Sequence, residues 1–389
     1  MCADKKKVTK EERHEKAKQL TERLQDKYGE NSCFVASQEN IEDKLQVEWI
    51  STGLLDIDLA TQPYESGGGI PKGRFTLLYG SPGSGKTSLA LSTIKEAQKD
   101  GLKVAYMDPE SAFPLGYAKE CFDIDVGDMI FSQDQEGETV IDIMQALSED
   151  EAVDLIVVDS IAALTSSDVI KASMHDDFMA PEARMWAQAM RKIKGVLSRN
   201  NTALLMINQI REEVGKKFGN PETTPGGRAI KFFADLKMEV KKRDRYREGK
   251  GDDRVTIGHK IRVRIKKNKV GTSGNRGFAD LYYNRGFDYR EDLLNSGVRE
   301  GIIHKSGGWL TYKPIGSGDN KELHIKENGF SNFLNAMSEK EKADVLYNEL
   351  RSRILGKDEE EFDLYLKEIG VLDDTEENEE ANTEDEEAA

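Results

Sequence analysis

Gly80-Ser81-Pro82-Gly83-Ser84-Gly85-Lys86-Thr87 satisfies G-x-x-x-x-G-K-[ST], the pattern of a loop that cradles phosphates. Glycines let the chain wrap so that backbone N–H groups face an anion, and a following helix adds the partial positive charge of its N-terminus. Lys86 would reach the β- and γ-phosphates of a nucleoside triphosphate, the Thr87 hydroxyl would ligate Mg2+, and Ser88 carries the loop into the helix. Both flanks fit, since the apolar run Arg74–Gly80 precedes the loop and a helical pattern follows it.

Phosphate chemistry needs a second support for the metal and a group to position the nucleophile. Asp159 closes the apolar run DLIVVD and sits where such metal support is expected. Away from a phosphate loop, the same Asp would be a turn residue or helix cap. Glu110, in MDPES after the Lys103–Met107 run, projects from the carboxyl edge of the sheet, where open α/β folds bind ligands. It is either a water-activating base or a solvated loop carboxylate. Gln209 ends the Ala203–Asn208 run on the same edge, as a γ-phosphate sensor or a strand-end cap.

Two loops suit a polyanion. Residues 166–181 are poorly periodic, and residues 209–228 hold no convincing element over a length that compact domains seldom leave bare without a function. Arg211, Lys216, Lys217 and Arg228 offer phosphate partners, and the Gly226 and Gly227 amides could close on a backbone phosphate. A mobile solvated loop would carry the same residues. In the run KIRVRIKKNK, Arg262 and Arg264 share one strand face and Ile261, Val263 and Ile265 the other. Lys267 and Lys269 lie past its end, in reach of an anion on another subunit.

The elements that must position these residues are legible in the apolar pattern. Strand-type runs at Arg74–Gly80, Lys103–Met107, Met129–Ser132, Asp154–Asp159 and Ala203–Asn208 alternate with helical patterns, among them Val140–Glu149 and Glu182–Asn200. That predicts an α/β fold with a mostly parallel sheet covered on both faces. After Phe233 come strands at Leu236–Val240, Ile257–Ile265 and Ala279–Tyr283, with polar hairpins at 244–253 and 271–277, an antiparallel or mixed extension. From about Asp288 a small α+β unit follows, largely helical over Ser331–Ile369. Residues 5–30 read as a charged helix whose thin stripe of Ala17, Leu20 and Leu24 buries little, so a neighbouring subunit is its expected support. Residues 31–37 are of strand type.

The chain has 389 residues, 37% hydrophobic and 33% charged, enough for two or three domains with one sizeable core. No run approaches the roughly 18 apolar residues of a membrane span. The basic start MCADKKK has no apolar segment behind it, so no secretory signal is expected. Cys2, Cys33 and Cys121 form no framework or C-x-x-C pair, which argues against a disulfide scaffold or zinc module and for the cytoplasm. The net charge of -16 is unevenly placed. Residues 358–389 hold 16 acidic residues and one Lys, whereas residues 237–276 hold 15 basic and 5 acidic ones. A basic segment beside an acidic tail suits a polyanionic ligand and a competitor for it, or a tail that serves only solubility.

Taken in order, EWISTGLLDIDLA, the phosphate loop, MDPESAF, IVVDSIAALT, ARMWAQAMRKI, INQIR, FGNPETTPGGRAIKFFA, KKNK and NSGVREGIIHKSGGWLTY resemble the bacterial-type RecA recombinases along nearly the whole chain. INQIR with GNPETTPGG is the most specific part. The resemblance implies a RecA-type core (residues 49–286) with DNA loops 166–181 and 209–228. It also implies an N-terminal arm (1–48) for subunit docking, a C-terminal α+β domain (287–370) and an acidic disordered tail (371–389) that restrains duplex capture.

Residue by residue, it implies that Lys86 and Thr87 hold phosphates and Mg2+, that Asp159 supports the metal and that Glu110 activates the attacking water. Tyr117 would stack on adenine, and Gln209 would couple the γ-phosphate to the loop after it. Arg184, Arg191, Gly226 and Gly227 match DNA-contacting positions, and Met179 a residue that wedges between base triplets. Lys267 and Lys269 would reach ATP on the adjacent subunit, Phe232 would relay nucleotide state, and Cys33–Ala36 would dock as a strand on the neighbour. Three departures stand out. Pro114 replaces an acidic residue near the adenine, Arg228 replaces a polar amide and adds charge to the second loop, and segment 62–69 is longer than usual.

The implied activity is that of an ATP hydrolase dependent on single-stranded DNA, which forms a helical filament, pairs homologous strands and exchanges them with double-stranded DNA. Whether a repressor and loader proteins are also partners, as in an SOS response, is left open. A ring-forming helicase or repair ATPase shares the phosphate loop and Asp159. An ATP-gated accessory protein would have no need of Glu110.

Overall fold

The computed structural model describes residues 9–29, 33–35, 45–61, 67–171, 181–212, 222–223, 227–313 and 324–338. They belong to two units divided between Val47 and Glu48. The first holds helix α1 (Lys10–Tyr28), which starts in a capping box: the Thr9 hydroxyl accepts from Glu12 N, and the Glu12 carboxylate accepts from Thr9 N. The helix buries none of its residues, as its thin apolar stripe implies. Cys33–Val35 is not a strand, contrary to the expectation for residues 31–37. A strand takes its hydrogen bonds from a ladder, and here Gln25 Nε2 donates to the Cys33 carbonyl at 2.8 Å. Ala36 lies outside the described residues.

The second unit opens with β1 (Trp49–Ile50), α2 (Leu55–Thr61), β2 (Ile70–Pro71) and β3 (Phe75–Gly80). There follow α3 (Lys86–Lys99), β4 (Val104–Met107), α4 (Leu115–Phe122), β5 (Met129–Ser132), α5 (Gly137–Glu149), β6 (Leu155–Val158), α6 (Ser167–Lys171), α7 (Pro181–Arg199) and β7 (Ala203–Gln209). Next come β8 (Arg211–Glu212), β9 (Glu222–Thr223), α8 (Gly227–Phe233), β10 (Leu236–Glu248), β11 (Val255–Asn268), β12 (Arg276–Tyr282) and β13 (Gly286–Phe287). The last described elements are α9 (Tyr289–Arg299), β14 (His304–Ser306), β15 (Trp309–Tyr312), β16 (Ile325–Asn328) and α10 (Phe330–Ser338).

Nine strands form one sheet in the order β13-β12-β11-β10-β3-β7-β6-β4-β5. From β10 to β5 every pair is parallel, and from β10 to β13 every pair is antiparallel. The period of two along each strand feeds two cores. Leu78, Tyr106, Val157 and Leu205 point to the side of α3, whereas Leu77, Ala105, Ile156 and Leu204 point to α5 and α7. Central strands buried on both faces leave no room for polar residues except at their ends, so chemistry is pushed to the carboxyl edge. A third core gathers Leu294, Ile303, Leu310, Tyr312, Ile325 and Phe333 of the small antiparallel β14–β16 sheet and its helices, with Leu55 of α2 inserted.

The hairpins are shorter than the polar sequence implies. β10 runs to Glu248 and β11 starts at Val255, so the turn is 249–254 rather than 244–253. Cross-strand pairing holds these polar residues in the ladder, with Arg247 opposite Thr256 and Glu248 opposite Val255. Likewise β12 begins at Arg276, inside the expected 271–277 hairpin, and Lys267 lies within β11 rather than past its end. The 209–228 stretch, expected to be bare, holds the β8–β9 pair (Arg211 opposite Thr223, Glu212 opposite Glu222) and the start of α8. Residues 339–389, including most of the expected helical stretch and the acidic tail, lie outside the described residues.

Trp186 on α7 is only 1% exposed and sits among Val140, Met144 and the β6–β7 side chains of its core. We expect Trp186→Ala to destabilise the chain by about 3–5 kcal/mol, read as a lowered urea midpoint.

Candidate functional site

The phosphate loop begins where β3 ends, and its first glycine is dictated by packing. A Cβ added at Gly80 would lie 2.2 Å from the Val240 carbonyl oxygen of β10. At the other end, Gly85 has φ +97°, and an added Cβ would also crowd Ile261 and Leu281. Gly85 is the N-cap of α3 and offers no side-chain cap, so the first-turn amides are left for an anion. Lys86 is buried. Its ammonium donates to the Ser81 carbonyl at 3.0 Å, which folds the loop back over its own side chain. Burial lowers the Lys86 pKa, and the charges of Asp159 and Glu110 oppose that shift.

The residues expected to share this edge do come together. Thr87 Oγ1 donates to Asp159 Oδ2 at 2.6 Å. Ser160 Oγ donates to Glu110 Oε1 at 2.6 Å, so the segment after β6 touches both carboxylates. Gln209 is paired in register with Gly80 across the β3–β7 ladder, and the next amide, Ile210 N, donates to Gly80 O at 3.1 Å. Tyr117 lies on α4 with its hydroxyl 3.3 Å from Ser88 Oγ, and burial raises its pKa. A pocket of about 260 Å³ opens here, lined by Gly83, Gly85, Lys86, Thr87, Ser88 and Tyr117 together with His259, Leu281 and Tyr283.

Four of the residues around this edge were not foreseen. Tyr106 looked like strand core, yet its hydroxyl donates to Asp159 Oδ2 at 3.1 Å. Burial raises the Tyr106 pKa far above its usual value, so the group stays a donor. Asp108 accepts from the Ala112 and Phe113 amides and from Gln133 Nε2, each at 3.1 Å, and so shapes the loop that carries Glu110. Ser160 holds Glu110. His259 is 1% exposed, with Nδ1 3.2 Å from the Tyr283 hydroxyl, and burial followed by the Lys242 charge lowers its pKa to about 4. Only Asp108, two residues before Glu110, left a signal in the sequence. Tyr106 and His259 reach the site from strands that read as core, and Ser160 from the turn after β6.

Mg2+ and a triphosphate fit what is present. Thr87 and Asp159 are hard oxygen donors in contact, the cation expected by the phosphates is Lys86, and Ser84 Oγ is buried without a hydrogen-bond partner inside the loop.

Other expected residues lie elsewhere. Arg184 and Arg191 are exposed on one face of α7, opposite buried Trp186, Met190 and Ile193. Arg211, Gly227 and Arg228 are described in their backbone alone, and Met179 and Gly226 lie outside the described residues. Lys267 and Lys269 are at the wrong end of the sheet for this pocket. Asn268 pairs with Leu236, which pairs with Thr76, four residues along β3 from Gly80 or about 13 Å at the rise of a strand. There Lys267 Nζ donates to Phe232 O at 2.8 Å and Lys269 Nζ to Asp235 Oδ1 at 3.0 Å.

A phosphate loop on one parallel strand, with a carboxylate after the next strand but one, defines a P-loop nucleotide-binding protein of the α/β class. The profile of the RecA N-terminal domain matches residues 16–288. Protein RecA of Clostridium perfringens is 41% identical over 286 residues, 73% of this chain and 79% of that one. The alignment with protein RecA of Clostridium tetani spans 341 residues at 36% identity, 86% and 94% of the two chains. Protein RecA of Aquifex aeolicus is 43% identical over 280 residues, 72% and 79%. The chain belongs to the RecA family, a family of DNA recombination and repair whose ligands are ATP and DNA. Among the described residues no helix is long and apolar enough to cross a membrane.

Burial lifts the Asp159 pKa above the ordinary range, and the hydrogen bonds from Thr87 and Tyr106 pull it back. Tyr106→Phe removes one of those bonds, so the carboxyl protonates at higher pH. We expect the acid-side loss of Mg2+-dependent nucleotide binding to move to higher pH and the Mg2+ requirement to rise at fixed pH, as a fluorescent nucleotide titration would show.

Proposed function

We propose that the chain is a DNA-dependent ATPase that assembles as a helical filament on single-stranded DNA and promotes homologous pairing and strand exchange. The separation of its cations carries this reading. The pocket has one buried lysine of its own, whereas Lys267 and Lys269 stand at the opposite end of the sheet and can meet a nucleotide only on another copy. Nucleotide state and assembly then depend on each other.

Within one site, Lys86 and the first-turn amides of α3 would bind the phosphates, and Thr87 and Asp159 would hold Mg2+. Bound Mg2+ supplies neutralisation of phosphate charge. Glu110, oriented by Ser160, would accept a proton from the attacking water, with Tyr117 against the base of the nucleotide. Gln209 adjoins both the phosphate loop and the segment 209–228, which gives γ-phosphate a route to the DNA loops. Arg184, Arg191, Arg211 and Arg228 would take DNA phosphates without reading sequence, leaving homology to base pairing. Gly226, Gly227 and Met179 complete the DNA set of this reading.

The division of labour follows the chain. Residues 1–48 dock subunits, 49–286 hydrolyse ATP and bind DNA through 166–181 and 209–228, 287–370 form the C-terminal α+β domain, and 371–389 restrain capture of double-stranded DNA. The sheet offers an edge for docking at β5, where Ile130 and Phe131 are 41% and 38% exposed. The cytoplasm is the compartment for this activity.

ATP turnover measured with and without single-stranded DNA tests the reading directly. Strong stimulation is expected, weakening with salt at a slope of about −0.7 per phosphate contact. Equal turnover without DNA would remove the DNA-loop assignments. Glu110→Gln should lower the stimulated rate by about 100-fold or more with ATP affinity retained, and an unchanged rate would remove its role as base.

A further inference from the structure

Three ammonium groups converge on one four-residue corner at the C-terminal end of α8. Lys267 takes the Phe232 carbonyl at 2.8 Å, Lys194 takes the Phe233 carbonyl at 3.3 Å, and Lys194 and Lys269 both take Asp235 Oδ1, at 2.5 and 3.0 Å. Asp235 is 2% exposed, and its second oxygen accepts from Phe75 N at 3.3 Å. A buried carboxylate needs one cation, and stripping a sole partner from it leaves a charge stranded in low dielectric. Asp235 has two. Either lysine can leave without stranding it, and both crowd the same oxygen.

The two lysines are not equivalent. Lys194 is anchored a second time, on Phe233 O, and its side chain is 34% exposed. Lys269 is 48% exposed and its ammonium is held by Asp235. Burial lowers the Lys194 pKa, Asp235 opposes this, and the charge of Lys269 lowers it further, so the ammonium groups repel one another. The corner also continues α8, which begins at Gly227 inside the second expected DNA loop.

We propose that Asp235 is a latch that holds Lys269 on its own subunit, and that Lys194 is the substitute partner that lets Asp235 release it to the nucleotide of a neighbouring copy. This rests on the reading of Lys269 as a lysine that acts across subunits. Asp235 and Lys194 are then positioning residues. The latch keeps the cation from a neighbour's nucleotide until DNA draws the subunits and the α8 corner into place.

The test is ATP turnover of full-length variants over a single-stranded DNA titration, with thermal melting of each. Asp235→Asn weakens the hold on Lys269, so DNA-free turnover should rise, and the DNA needed for half-maximal rate should fall, each by about fivefold or more, the low end of ordinary coupling between sites. Lys194→Ala leaves Lys269 as sole partner of the buried carboxylate, so the half-maximal DNA concentration should rise by about the same factor at an unchanged maximal rate. A purely structural role would move both variants the same way, together with the melting temperature. Shifts in the same direction, or none, overturn the latch. Should Asp235→Asn fail to fold, an unchanged DNA dependence in Lys194→Ala overturns it alone. Lys269→Ala separates the two ideas: full turnover removes the cross-subunit role and the latch with it. A dead Lys269→Ala beside a wild-type-like Asp235→Asn removes only the latch.

Discussion

Everything in this molecule hangs on β3 being buried on both faces between β10 and β7. An apolar strand in that position has one polar exit, its carboxyl end, and there the chain must turn into α3 with little space around it. Gly80 faces the Val240 carbonyl too closely for any side chain, so the loop starts bare. In-register pairing then sets the neighbours. Gly80 lies beside Gln209, and Met107 lies beside Val158, so the residues that follow these strands emerge at one edge. Packing of apolar side chains, which carries no chemistry, thus decides which polar groups meet.

The polar groups that meet there are held by one another. Thr87 and Tyr106 both donate to Asp159, Ser160 donates to Glu110, and Asp108 collects the amides of the loop between. Burial of Asp159 beside the carboxylate of Glu110 works against its staying ionised. Hydrogen bonds from hydroxyls offset that cost. The arrangement leaves the lysine charged beside an anion site and the carboxylates available for a metal and a proton. Its balance depends on each donor, because a low-dielectric site magnifies every unmatched group.

At the far end of the same sheet the sign is reversed. Lys194, Lys267 and Lys269 gather on one buried carboxylate and two carbonyls, about a strand's length from the phosphate loop. Parallel strands give the sheet two chemically distinct ends, one lined by loops that follow strands and the other by loops that precede them. Placing the surplus cations at the second end makes them useless to their own pocket and available to another copy.

The α/β alternation, the parallel core and the phosphate loop were legible because they depend on local properties: apolar runs buried on both faces, glycine spacing, and a helix directly after the loop. Asp159, Glu110 and Gln209 were legible once that loop implied a carboxyl edge, since each follows an apolar run. Tyr106 and His259 were not, because a hydroxyl or imidazole in a strand looks the same whether it faces a core or a carboxylate, and Ser160, in the turn after β6, looked like any turn serine. The length of the β10–β11 hairpin was hidden for a related reason, as its polar residues are held by cross-strand pairs that only register reveals. The order of residues along the chain therefore determined which groups reach the carboxyl edge. Only the tertiary structure decided which hydroxyl serves which carboxylate, and that Lys269 rests on Asp235, because those contacts join segments up to 72 residues apart whose distance in space is set by packing.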